Sequence, residues 1–99
     1  GTPALDETNT PVAFSIKGLY PNPVTGSAVF HLSSPKNIGA ATIEIYNVKG
    51  QRVQSIYQPD IHSGTNEIGF VPKGSLPNGI YFYRLQNSAG KAEKFILLR

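Results

Sequence analysis

Apolar and polar positions alternate in short runs, and glycine or proline cuts off each run within about ten residues. Alternation with period two places successive side chains on opposite faces of an extended strand. The clearest case is Ala41–Tyr46, where Ala41, Ile43 and Ile45 share one face and Thr42, Glu44 and Tyr46 share the other. Ala28, Phe30 and Leu32 share a face in the same way, against Val29 and His31. The pattern predicts strands at Ala13–Lys17, Ser27–Leu32, Ala41–Tyr46, Gln51–Tyr57, Asn66–Val71, Ile80–Gln86 and Lys91–Leu98. Turns are expected at Thr25-Gly26, at Asn47–Gly50 and at Asn87–Gly90, with longer loops at Pro59–Gly64 and Pro72–Gly79. Leu19–Pro23 carries prolines at alternate positions. Each fixes φ and removes a donor, so this segment reads as a stiff, extended piece.

Short strands at this spacing, with no room for an ordinary helix, predict an all-β domain of two antiparallel sheets. Residues 1–12 read as a lead-in and residues 13–99 as the sandwich. The predicted core is Phe30, Leu32, Ile43, Ile45, Val53, Ile80, Phe82, Ile96 and Leu98. Tyr81, Tyr83, Leu85, Phe95 and Leu97 are second candidates, because both faces of the last two strands are apolar. That two-sided pattern predicts strands that are central or covered on both faces.

Composition narrows the chemistry. The chain has no Cys, which excludes disulfides, thiolate zinc sites and thiol nucleophiles together. His31 and His62 are too few and too far apart in sequence to define a metal site, which needs three or four convergent ligands. The six acidic residues are dispersed, and no serine sits in a strand-to-helix elbow. No glycine-rich phosphate loop is present. The sequence therefore predicts neither enzyme nor cofactor. A net charge of +3 is spread singly along the chain, unlike the clustered charge of nucleic-acid modules. The aromatics are the best binding candidates. Tyr81 and Tyr83 share a face at about 6.6 Å, twice the strand rise, a spacing that suits a sugar or peptide groove. The alternative is that they are core rings.

Four stretches in order carry a resemblance: Leu19-Tyr20-Pro21-Asn22-Pro23, Ile43 to Val53 with its Asn47-Val48-Lys49-Gly50 turn, Leu76-Pro77-Asn78-Gly79 running into Ile80–Leu85, and a lysine-bearing final strand. This set resembles the C-terminal sorting domain of type IX secretion substrates, the Por secretion tail, type A, over about residues 19–99. The middle motifs also resemble the immunoglobulin-like domain of flagellar hook-capping proteins. That family carries a Trp-Asp-Gly segment where this chain has Glu67 to Gly74.

The sorting-domain resemblance implies an immunoglobulin-like antiparallel sandwich of about seven strands. It implies a C-terminal address on an upstream passenger, read by the outer-membrane translocon of Bacteroidetes-type bacteria and often removed by a sortase-like peptidase. The passenger is then expected to be secreted or at the cell surface, by way of the periplasm. Neither a nucleic acid nor a membrane span is implied. Matching motif positions are Tyr20, Pro21, Asn22, Pro23, Gly50, Gly79, Tyr81 and Arg84, and the expected recognition residues are Lys91, Lys94, Leu97, Leu98 and Arg99. Family members commonly finish in lysine; here Arg99 keeps the charge. The last strand is expected to offer its edge or its basic tip to a receptor. A carbohydrate-binding or spacer module of a secreted enzyme is the competing function.

Overall fold

A computed structural model describes residues 15–86 and 91–99. Among the described residues seven strands run in chain order: β1 Ser15–Tyr20, β2 Ala28–Ser34, β3 Gly39–Tyr46, β4 Arg52–Ile61, β5 Gly64–Phe70, β6 Gly79–Leu85 and β7 Glu93–Leu97. They form an antiparallel β-sandwich, with one sheet ordered β1-β2-β5 and the other β4-β3-β6-β7. The division into three and four strands, with the chain crossing between sheets, is that of an immunoglobulin-like sandwich. The expected lead-in at 1–12 and turn at 87–90 lie outside the described residues.

The period-two pattern places the core. Ala28, Phe30 and Leu32 on β2 face Ile68 and Phe70 on β5 across the register Phe30↔Ile68. A bulge in β1 between Ile16 and Gly18 changes the alternation, so Ile16 and Leu19 both point inward opposite Leu32 and Phe30. Ile43 and Ile45 complete the facing layer from β3. Between the sheets lies a slab of rings. Phe30 meets Tyr83 edge-on at 5.0 Å, Phe95 stacks on Tyr81 at 5.7 Å, and Phe70 meets Phe95 edge-on at 5.7 Å. Such pairs contribute beyond the area they bury. Burial pushes the Tyr83 phenol above its ordinary range.

Two expectations about facing are corrected. Tyr81, Tyr83, Leu85, Phe95 and Leu97 are the inward residues of β6 and β7, whereas Ile80, Ile96 and Leu98 are exposed and Phe82 is half-buried. The large rings fill the gap of roughly 10 Å between packed sheets better than the aliphatic residues of the other face. Arg84 and Lys94 stand on the Ile80–Phe82–Ile96 face and keep it toward solvent. Val53 is also only half-buried. It sits beside a bulge at Ile45/Tyr46, and Ile56 is the residue opposite Ile43. The expected loop from Pro59 is shorter, because β4 continues through Pro59 to a fully buried Ile61 on an edge strand, where proline is tolerated. β1 likewise runs further than expected, to Tyr20.

Candidate functional site

Three stretches, the last two contiguous in sequence, converge on β7 and on Arg99 just beyond it. The first is Tyr20–Val24. Pro21 and Pro23 have no N–H, so after β1 the next backbone donors are Asn22 and Val24. Val24 is fully buried, donates to the Ile96 carbonyl at 2.7 Å and accepts from the Leu98 N–H at 2.8 Å. Asn22 Oδ1 accepts from the Ile96 N–H at 3.1 Å. Val24 thus makes a parallel bridge to Leu97 along the side of β7 that faces away from β6. Both Xaa-Pro bonds in the segment are cis.

The second stretch is Pro77-Asn78-Gly79. Asn78 acts as a short surrogate strand: its Nδ2 donates to the Arg99 carbonyl at 3.0 Å, and its Oδ1 accepts from the Arg99 N–H at 3.0 Å. Gly79, at φ 152°, turns the chain into β6. The Tyr81 hydroxyl donates to the Pro77 carbonyl at 2.6 Å, which satisfies the polar end of a buried ring.

The third stretch is the loop from Pro72 to Leu76. The Arg99 guanidinium donates to the carbonyls of Pro72 at 3.2 Å, Lys73 at 2.7 Å and Leu76 at 2.6 Å. A planar fork with five donors can serve several carbonyls at once. Gln54 holds the same loop from β4, donating to the Val71 carbonyl and accepting from the Lys73 N–H, both at 3.0 Å.

The expected recognition residues therefore separate into three kinds. Lys91, Lys94 and Leu98 are exposed. Leu97 is core, 1% exposed. Arg99 is anchored by its backbone and its side chain alike. Edge pairing with a receptor at Ile96 and Leu98 is closed, because Asn22 and Val24 already occupy those backbone groups. Among the motif positions, Gly50 has φ 81° and closes the turn in which Asn47 Oδ1 accepts from Lys49 and Gln51. Pro21 and Pro23 are exposed, and Tyr20 lays its ring over Gly18 and meets His31 edge-on at 5.4 Å. Tyr81 and Tyr83 are 4% and 6% exposed, so no sugar platform is built from them.

Glu44, expected to point outward, does so by register yet is buried beneath its neighbours. It accepts from the Tyr46 hydroxyl at 2.6 Å and from Arg52 at 3.1 Å, and Arg84 lies 3.8 Å away. The Tyr46 hydrogen bond, aided by Arg52 and Arg84, holds its carboxyl below the ordinary value of 4.5 despite burial. Arg84 also covers the Tyr46 ring at 5.5 Å. Two shallow depressions flank the 47–50 turn. The larger, about 340 Å³, is lined by residues including Tyr46, Val48, Phe82 and Arg84. The other lies beside Ile80 and Asn78. Sequence reasoning left Val24, Asn78 and Glu44 out of the site. An Asn between a proline and a glycine was the available signal for Asn78.

Residues 18–99 match the family described as secretion system C-terminal sorting domain. The chain belongs to this family. Comparison with curated proteins and with solved structures gives no match. As a sorting domain the protein is a signal for type IX secretion, and its family is not a catalytic one. Its function implies dealings with the type IX secretion machinery and a secreted destination by way of the outer membrane. Among the described residues, no helix is long and apolar enough to cross a membrane.

Proposed function

We propose that this sorting domain is read as a folded surface, with β7 as its address, and that the reader is the outer-membrane translocon. The observation that carries this is the convergence of two of the four motif stretches, Tyr20–Pro23 with Val24 and Pro77–Gly79, on β7 and the two residues after it. Asn22 and Val24 hold its side, Asn78 holds its end, and Arg99 ties that end into the 72–76 loop. Fastened at these points, β7 and the two residues after it present Lys94 and Leu98 outward, with Leu97 and Arg99 as anchors, and the exposed Lys91 lies just before the strand. The passenger precedes residue 1, residues 1–12 link it to the sandwich at 13–99, and a sortase-like peptidase acts after transfer to the surface.

The test is export of a periplasmic reporter fused ahead of the whole chain, in a host carrying the type IX machinery. The intact fusion is expected at the cell surface. Lys91→Ala with Lys94→Ala is expected to retain the reporter in the periplasm while the domain keeps its circular dichroism spectrum and its melting temperature. Surface delivery unaffected by that pair would move the address elsewhere on the sandwich. Periplasmic retention of the intact fusion would remove the sorting role for this chain.

A further inference from the structure

The outer face of the β6–β7 pair carries an apolar stripe that no other described residue covers. Ile80 stands opposite Ile96, Phe82 stands beside Ile80 on β6, and Leu98 follows Ile96. Ile80 is 44% exposed, Ile96 39% and Leu98 57%. The 47–50 turn adds Val48, and the two depressions beside that turn reach Phe82 and Ile80. Contiguous exposed apolar residues of this kind mark interaction surfaces.

The border of the stripe is cationic. Lys94 pairs across from Phe82, Arg84 follows Phe82 on β6, and Arg52 lies across β3 from it. On β3, β6 and β7 the outward positions carry one carboxylate, Glu44. It is 7% exposed and already engaged by the two arginines. One carboxylate offsets one of those two guanidinium charges, so with Lys94 this end of the face keeps an excess of positive charge. The face is thus polar in its layout, with aliphatic residues at the Ile80–Ile96–Leu98 end and cations at the Lys94–Arg84 end.

We infer that this face docks an acidic, apolar segment of a protein of the secretion machinery. Its aliphatic side chains lie over Ile80, Ile96 and Leu98, and its Asp or Glu carboxylates reach Lys94 and Arg84. The inference rests on the sorting role proposed above and names the surface and the chemistry of its reader. Charge complementarity steers the encounter and fixes its polarity, while the apolar end supplies the desolvated contact. The partner contributes side chains to a face, because the backbone edge of β7 is occupied at Ile96 and Leu98.

The test uses the whole chain fused behind the reporter in a type IX host, with a photo-crosslinking amino acid at Ile80 or, as control, at Thr65, which is exposed on the opposite sheet. The expected result is a crosslink from position 80, absent from position 65, to a component of the secretion machinery. The crosslinked peptide, identified by mass spectrometry, carries Asp or Glu beside apolar residues. Lys94→Glu or raised salt weakens the crosslink. Ile80→Ser with Ile96→Ser lowers surface delivery roughly five- to ten-fold, the size expected for an interface anchor, at unchanged melting temperature. A crosslink from position 65 and not 80, a crosslink to a second copy of the chain or to lipid, or delivery indifferent to the Ile80/Ile96 pair would overturn the inference while leaving the sorting role intact. Retention of the unsubstituted fusion in the periplasm would overturn both.

Discussion

At the scale of single residues, Glu44 shows how much of a side chain's behaviour is decided by what lies over it. Its carboxylate is buried and accepts from the Tyr46 hydroxyl at 2.6 Å and Arg52 at 3.1 Å. Its pKa is lowered in the folded state, so the protein gains stability from it at neutral pH and loses that gain as pH falls through the lowered value. Tyr46→Phe removes the largest contribution. It is expected to cost about 1.5–3 kcal/mol at pH 7, the range for a hydrogen bond to a charged group. The deficit should shrink as pH falls through that lowered value, where wild type also loses the ionised carboxylate. Urea unfolding of both proteins over a descending series of pH values checks this, and a pH-independent difference would remove the carboxylate from the explanation. Gly50 is a simpler case. Its φ of 81° is strained for any residue with a Cβ, and an added Cβ would meet nothing within 4 Å. Gly50→Ala is therefore expected to cost about 1–2 kcal/mol from backbone conformation alone, read by the same unfolding experiment. The glycine was legible in the sequence as the close of an Asn-Val-Lys-Gly turn. The burial of Glu44 was not, because alternation tells which face a residue takes and says nothing of what covers that face.

At the scale of elements, β7 has β6 on one side and a composite of other pieces on the other. Asn22 and Val24 serve Ile96 and Leu98, and Asn78 serves Arg99 with both ends of its amide. These clamps are separate, so their losses should be local. Asn78→Ala is expected to speed hydrogen exchange at the Arg99 amide, and Asn22→Ala at the Ile96 amide, each leaving Tyr83 protected. Each lost hydrogen bond is worth about 0.5–1.5 kcal/mol, so the fold should survive either change. Exchange that rises together at all three amides would mean that β7 opens only with the whole sandwich. The motifs Tyr20-Pro21-Asn22-Pro23 and Pro77-Asn78-Gly79 were visible as chain punctuation, but their common target was not, since convergence in space leaves no mark in local spacing. The facing of β6 and β7 was also misjudged from their apolar content. Both faces of these strands are apolar, and a shift of one residue exchanges them completely. The deciding signal was present: Arg84 and Lys94 sit in phase with Ile80, Phe82 and Ile96, out of phase with Tyr81, Tyr83 and Phe95.

At the scale of the molecule, the same strand holds the core together and carries the candidate address, and two adjacent residues separate these roles. Leu97 is 1% exposed against the ring slab, whereas Leu98 is 57% exposed on the outer face. Leu97→Ala is expected to cost about 2–5 kcal/mol, as for other buried leucines. That is a large fraction of the roughly 5–15 kcal/mol available to a domain of this size. At about 4–8 °C per kcal/mol, the melting temperature should fall by at least about 8 °C. Leu98→Ser removes an exposed side chain but keeps the backbone N–H that Val24 accepts, so its melting temperature should stay close to that of wild type. Surface delivery of the fused reporter then divides the two possibilities. If the machinery reads the outer face, Leu98→Ser lowers delivery at unchanged stability, and Leu97→Ala lowers it only as far as the folded fraction falls, recovering when the host is grown at lower temperature. If delivery follows folded fraction for both variants, β7 acts in export only by completing the sandwich, and the machinery reads some other part of its surface.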